Sequence, residues 1–503
     1  MITNPVRIDS GLIAGIDGDI RVFKGIPFAA PPAGGHRWRP PQPVVPWRGV
    51  RAADRFGPAY PQVPPHKDTL LHEASFAGPE PVFDEDCLNL NVWSPARSAS
   101  ERLPVMVWVH GGGFRLGWGH QSVYEGEALA RKGVVVVTVN YRLGLFGFFA
   151  HPALTRESGR DASGNYALMD IIAALEWVQR NIAPFGGDPG NVTLFGESAG
   201  SALVNLLMAS PRAKNLFHKA IGQSLANFAG AFGPMPSLAA AERDGIEIAK
   251  SLDAPTLAEL RRKPAMELCR AVTGRPNPIV DGWVLAEDVD AVFAQGRQND
   301  VPLLTGSNAD EGTPYGRPDE PEHYTREVLA RFGEHSNAYL ALYPAATREE
   351  VRLANNASVR DSWFGWQVWK WARAQRMTGK SPVYLYWFNR APPIPGRDFL
   401  EWPGPARFGA FHTGEIIYAM NNPATRGWVW QDADLRLADT MSSYWVNFAR
   451  SGDPNGVGLP AWPVFGTQAE PVLHLGERIA AGELMNQPGL AFFDVVFQSE
   501  NPQ

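Results

Sequence analysis

The stretch Asn191–Gly200 reads Asn-Val-Thr-Leu-Phe-Gly-Glu-Ser-Ala-Gly, and the rest of the chain is read outward from it. Val192 to Phe195 is a short apolar run of the kind that forms a strand buried on both faces. It meets Gly196-Glu197-Ser198-Ala199-Gly200, a G-x-S-x-G sequence, and the run Ser201 to Met208 that follows has a helical composition. A serine on so tight a strand-to-helix turn is held in a strained backbone state, with its hydroxyl projecting from the end of the sheet. Side chains two residues to either side would collide, which accounts for Gly196 and Gly200. The first N–H groups of the helix, and the positive end of its dipole, face the point where an oxyanion would develop. Outside this setting G-x-S-x-G is a turn serine with no chemistry. The strand before it and the helix after it make Ser198 a candidate nucleophile.

Upstream, Val105 to Phe114 reads Val-Met-Val-Trp-Val-His-Gly-Gly-Gly-Phe. A buried strand ends at His110 and three glycines follow. A glycine run lets the backbone turn N–H groups toward a substrate oxygen without obstruction from Cβ atoms. An H-G-G-G loop of this kind supplies one part of an oxyanion hole, and the residue after the nucleophile supplies the rest. The expected donors are Gly112, Gly113 and Ala199. A dinucleotide cradle does not fit, because the spacing is not G-x-G-x-x-G and a suitable acidic residue about 20 positions on is missing. His110 itself reads as structural.

A serine nucleophile of this kind takes its acid and then its base from further along the chain. Val301 to Thr305 is strand-like and runs into Gly306-Ser-Asn-Ala-Asp310-Glu311-Gly312. Composition leaves both Asp310 and Glu311 open as the acid. Four histidines lie downstream, at 323, 335, 412 and 474. His323 and His335 sit in charged helical surroundings, and His474 alternates within an apparent edge strand. His412 stands in the glycine-rich turn Phe408-Gly-Ala-Phe-His-Thr-Gly-Glu415, which suits an imidazole held over a site, and it is the expected base.

The chain has 503 residues, a formal net charge of -6 and 45% hydrophobic residues. Its pI is about 6.0 and its mean hydropathy is -0.20. An acidic balance without a basic run argues against a nucleic-acid or anionic-membrane partner. Apolar runs do not reach the roughly 18 residues that span a bilayer. The first residues lack the basic and apolar regions of a signal peptide, so a cytoplasmic location is expected, with a secreted or periplasmic one as the alternative. Two cysteines, Cys87 and Cys269, permit one bridge at most, and zinc-ligand spacings are absent. Residues 5–30 alternate around a turn at Gly18-Asp19, predicting a hairpin. Further strands are predicted at Leu88–Trp93, Val134–Val139 and Val383–Phe388, and a helix over Asn165–Ile182. Strands and helices in alternation predict a mostly parallel or mixed sheet with helices on both faces, an α/β fold. The segments 225–300 and 315–380 read as helical insertions over the sheet, and Pro58 to Asp84 as a surface loop.

Taken together these stations resemble the type B carboxylesterases, the family of the cholinesterases and the bacterial para-nitrobenzyl esterases. They run in order through Gly25-Ile-Pro-Phe-Ala29, Glu85-Asp-Cys-Leu-Asn-Leu-Asn91, His110-Gly-Gly-Gly-Phe114 and Phe185-Gly-Gly-Asp-Pro189 into Gly196-Glu-Ser-Ala-Gly200. Asp310-Glu-Gly312, His412 with Glu415, and Trp445 to Asn455 complete the set. The resemblance covers nearly the whole chain. It implies a single α/β-hydrolase domain over 1–503, with cap-like insertions around 225–300 and 315–405. It selects Glu311 over Asp310, and it matches His412 through the following Glu415-Ile-Ile-Tyr418. Glu197 and Ser224 match supporting positions beside the nucleophile. The implied reaction is hydrolysis of a small-molecule ester through an acyl-enzyme, without cofactor or metal.

Three departures from the family pattern stand out. Leu225 replaces a glycine after Gln223-Ser224 and is expected to narrow or reshape the pocket. Ile171 replaces a glutamine in the predicted helix. Cys87 has no upstream cysteine to pair with, in keeping with a reducing compartment. Two other functions remain open from sequence: a catalytically silent relative that binds partner proteins, and an amidase or peptidase on the same fold. All three triad positions are filled, which speaks against the first. The tryptophans at 363, 366, 369 and 371 read as core rather than as the lining of a gorge. Glu415 and the loop Pro392–Arg407 are candidates for the entrance, and the sequence leaves the oligomeric state open.

Overall fold

A computed structural model describes residues 3–67, 69–271, 277–395, 408–466 and 468–500. Its strands, numbered along the chain, form two sheets. The smaller contains β1 (Val6–Ile8), β2 (Gly11–Ala14) and β4 (Val50–Ala52). The larger has ten strands: β3 (Arg21–Pro27), β5 (Asn89–Ser94), β6 (Leu103–Val109), β7 (Val135–Val139), β8 (Gly187–Glu197), β9 (Lys219–Gln223), β10 (Leu303–Asn308), β11 (Val383–Phe388), β12 (Val472–Leu475) and β13 (Ala480–Gly482). Their spatial order is β13-β12-β11-β10-β9-β8-β6-β7-β5-β3. From β12 to β7 every neighbouring pair is parallel. β13 at one edge, and β5 and β3 at the other, run antiparallel to their neighbours. This is the mixed sheet of an α/β-hydrolase.

The central strands lack polar alternation because both of their faces are covered. On β6, Val105, Val107 and Val109 pack into one core, while Met106 and Trp108 pack into the core on the opposite face. The helix Tyr166–Asn181 lies where apolar spacing predicts it, and Ile171 is fully buried there among apolar neighbours. The replacement of a glutamine at 171 therefore enlarges the hydrophobic core. The segments after 225 and 315 are largely helical, with Leu238–Ser251, Pro321–Phe332, Arg348–Val359 and Trp366–Thr378 as their longest helices.

Two local expectations are corrected, and one strand is added. The N-terminal hairpin turns at Asp9-Ser10, between β1 and β2. The reversal at Gly18-Asp19 closes a single bridge, Ile16 to Val22, before β3 joins the large sheet. Pairing with partners 62 to 73 residues away in β5 outweighs the local turn signal. His474 lies on β12, which pairs with β11 and β13, so the edge belongs to β13. β9 carries Lys219, Gly222 and Gln223, and its polar composition hides a strand that is buried at every residue.

Strand order reverses at β6, with β7 on one side of it and β8 on the other. The loops leaving the carboxyl ends of β6 and β8 therefore diverge, and a crevice opens between them. The glycine run and Ser198 both lie there. Among the described residues, no helix is long and apolar enough to cross a membrane.

Candidate active site

Ser198 has φ 54° and ψ -124°, a conformation costly for any residue bearing a side chain. It is held there from both sides. Its N–H donates to the Gln223 carbonyl at the end of β9 (2.8 Å), and Val109 of β6 sits in register with Gly196. A Cβ at Gly196 would lie 2.7 Å from the Val109 carbonyl oxygen, and one at Gly200 only 2.1 Å from the same atom. Both glycines are thus dictated by space, as the sequence reading required. The helix Ala199–Ala209 begins immediately after the serine.

Gly112 and Gly113 are required by conformation, with φ of 109° and 61°. The Gly111 carbonyl faces the His110 ring (2.8 Å), and the Gly112 carbonyl accepts from Arg115 and Leu116 N–H groups (3.0 and 3.1 Å). In a planar trans peptide the N–H points opposite to the C=O. The Gly112 and Gly113 N–H groups are therefore turned away from the loop's own bonds, while Ala199, first in its helix, has no intrahelical acceptor. His110 stacks on Tyr141 at 4.4 Å. Burial pushes its pKa down to about 4, so it is a neutral structural ring.

His412 Nε2 lies 2.9 Å from Ser198 Oγ, and His412 Nδ1 lies 2.6 Å from Glu311 Oε2. The other Glu311 oxygen accepts the Asn308 N–H at 2.8 Å. Asp310, which composition alone could not separate from Glu311, does something different. Its carboxylate accepts from the Ala410 N–H (2.9 Å) and Asn356 Nδ2 (3.0 Å), and its own N–H donates to the Ala410 carbonyl (3.0 Å). Asp310 clasps the turn after β10 to the histidine loop, and Glu311 faces the ring. Phe364 at 4.4 Å and Tyr315 at 5.8 Å shelter the imidazole. The sequence reading missed both, since nothing local in it marks an aromatic that meets a histidine 48 or 97 residues on.

Two further carboxyl groups crowd the site. Glu197 Oε1 is 3.2 Å from His412 Nε2. Burial holds the Glu197 pKa well above the ordinary carboxylate range, with Glu415 and Glu311 adding to the rise against His412. Burial pushes His412 down, but the charges of Glu197 and Glu311 outweigh it and raise the imidazole to about 9. The rise at Glu197 favours its neutral form, and the rise at His412 favours the imidazolium. Glu415 is fully buried, so it does not form the entrance. It accepts from Asn308 Nδ2 (2.5 Å) and Gln223 Nε2 (3.0 Å), and Gln223 in turn accepts from Trp445 Nε1 (3.0 Å). Burial, and then Glu311, raise Glu415 to about 7. Ser224 is buried with φ 55°, and its N–H donates to the Gly306 carbonyl at 2.8 Å.

Ser198 and His412 open into a cavity of about 400 Å³. One wall is Pro61–Pro65 with Leu71 and Phe76, so the segment read as a surface loop lines the site. Its prolines and weak periodicity mark irregular backbone, which can pack inward as well as outward. Leu225 does not line this cavity; it is buried in the main core. Trp366, Trp369 and Trp371 are buried in the core as expected, and Trp363 packs on Tyr315 at 5.4 Å. Of the loop Pro392–Arg407, residues 396–407 lie outside the described residues. Cys87 and Cys269 are both free thiols.

The model of the carboxylesterase family matches residues 3–493. The chain belongs to the carboxylesterase family. It is 38% identical to a fumonisin B1 esterase of Sphingopyxis macrogoltabida over 94% of its own length and 86% of that protein's. It is 33% identical to carboxylesterase 1C of Rattus norvegicus, over 98% and 92%. A solved thermophilic pNB esterase superposes with a TM-score of 0.81 at 30% identity, covering 97% of this chain and 99% of that one. This carboxylesterase is a carboxylic-ester hydrolase acting on small-molecule esters.

Proposed function

We propose that Ser198, His412 and Glu311 carry the hydrolysis, with Gly112, Gly113 and Ala199 as the oxyanion hole. The observation that carries this reading is the continuous chain from Glu311 through His412 to Ser198, at 2.6 and 2.9 Å. His412 Nε2 takes the Ser198 proton as Oγ attacks the ester carbonyl, and Glu311 holds the ring and stabilises the imidazolium. The carbonyl oxygen becomes an oxyanion facing the three N–H groups. Collapse expels the alcohol, which takes the proton from His412. Water then repeats the cycle on the acyl-enzyme and releases the acid. Glu197 and Ser224 support the nucleophile without bonding to the reacting atoms. The whole chain acts as one catalytic unit, and the segments around 225–300 and 315–405 cap it, a reading supported by Cys269 and Tyr315 in the cavity wall.

The test is turnover of 4-nitrophenyl butyrate by wild type and Ser198→Ala. Loss of about 10⁶ in kcat, the scale of a nucleophile knockout, is expected in a variant that stays folded. Retention of most of the activity would remove Ser198 from the mechanism. Given the kinship with a fumonisin B1 esterase, fumonisin B1 is the first complex ester to try.

A further inference from the structure

A second pocket of about 140 Å³ adjoins the first. The two share Gly144 and Leu145, which line both. Beyond this pair the second pocket is walled by Phe148, Phe149, Ile248 and Ile279, all apolar, and by the exposed polar residues Asp244 and Asn277. Its far side is the helix Leu238–Ser251, which presents Ala241, Gly245 and Ile248.

Of the two shared residues only Leu145 carries a side chain. Leu145 is 4% exposed, and its carbonyl accepts the Trp38 indole N–H at 3.1 Å. Its neighbour Gly144 has φ 56°, and a Cβ built on it would meet no atom within 4 Å. Space is therefore open beside Gly144, and the Leu145 side chain is the bulky group that faces both cavities. A largely apolar pocket adjoining an ester-binding cavity can take an unbranched hydrocarbon chain.

We propose that Leu145 sets the chain-length limit of this carboxylesterase, and that the adjoining pocket accepts the distal end of a long apolar chain once that side chain is cut back. The inference rests on the reading of Ser198 as the nucleophile. The chain can belong to the acyl or to the alcohol half of the ester, and the two are separated by using two substrate series.

The experiment compares wild type, Leu145→Ala, and Leu145→Ala combined with Ala241→Phe. The double variant fills the second pocket from its far wall. Each is assayed on 4-nitrophenyl esters from acetate to dodecanoate, and on butyrate esters of alcohols from ethanol to dodecanol. Leu145→Ala is expected to raise the ratio of kcat/KM for the ten-carbon over the four-carbon member about tenfold in one series, the scale set by fitting apolar groups into a pocket. Ala241→Phe is expected to return that ratio to the wild-type value. If Leu145→Ala does not fold, Leu145→Val carries the same test, with an expected gain of about threefold. A ratio unchanged in both series, or a gain that survives Ala241→Phe, overturns the proposal. Butyrate turnover that persists in Ser198→Ala overturns the site itself. Turnover that requires Ser198 but shows no change of ratio overturns only the role of Leu145.

Discussion

Two clusters of buried charge in this molecule are built on opposite plans. Arg142 and Asp170 are 1% and 0% exposed. Arg142 Nε and a terminal nitrogen reach the two Asp170 oxygens at 2.8 and 2.7 Å, and the remaining nitrogen donates to the Arg39 carbonyl at 2.8 Å. The Arg142 N–H adds a further bond to Asp170 at 2.9 Å. One positive and one negative charge are present, and both are saturated. At the other cluster, Glu197, Glu311 and Glu415 surround a single imidazole, and Glu197 Oε1 approaches it at 3.2 Å without forming a hydrogen bond. Saturation fixes a charge in place. At the second cluster three carboxyl groups face one imidazole, and Glu197 Oε1 is left without a hydrogen-bond partner.

The contrast can be broken most forcefully at Glu311. Glu311→Gln keeps the shape but removes the charge that holds and stabilises the His412 imidazolium. A drop of roughly 10⁴ in kcat is expected, the scale of the equivalent change in a serine triad, with little change in melting temperature. A stability loss with activity kept would reverse the roles assigned to the two clusters. Asp170→Ala should behave the other way. It strands a buried guanidinium, and a loss of about 3–5 kcal/mol is expected from urea unfolding, with kcat of the protein that remains folded near the wild-type value.

The smallest effect sharpens the picture of Glu197 beside His412. The Glu197 carboxylate favours the imidazolium, so Glu197→Gln should lower the His412 pKa from about 9. The neutral base then persists to lower pH. The acidic limb of log kcat/KM is expected to move down by about one pH unit, the lower end of the shift for losing an opposite charge at contact. A limb that stays in place would mean that Glu197 is already neutral at working pH.

Much of this was legible in the sequence, and the illegible parts share a cause. The elbow was readable because Gly196 and Gly200 answer a local crowding problem. The central strands were readable because burial on both faces leaves uninterrupted Val and Leu. β9 was not, since Lys219 and Gln223 are buried by contacts from elsewhere: Lys219 Nζ meets the Asn191 side chain, and Gln223 meets Glu415 and Trp445. The choice between Asp310 and Glu311 depends on where residues 408–412 come to lie, a distance that no local pattern encodes. Pro58–Asp84 was placed on the surface for want of periodicity, yet irregular backbone proved able to wall a cavity.

The strand order has a consequence for how the enzyme comes into being. From β8 to β12 each new strand docks beside the last, so the sheet grows outward in chain order. The serine turn is fixed by β6, β8 and β9, but Glu311 follows β10 and His412 follows β11, 113 and 214 residues later in the chain than Ser198. Such long-range pairings carry a large loop-closure cost. A chain with only the strands through β9 in place would hold the serine turn without Glu311 and His412, which follow β10 and β11.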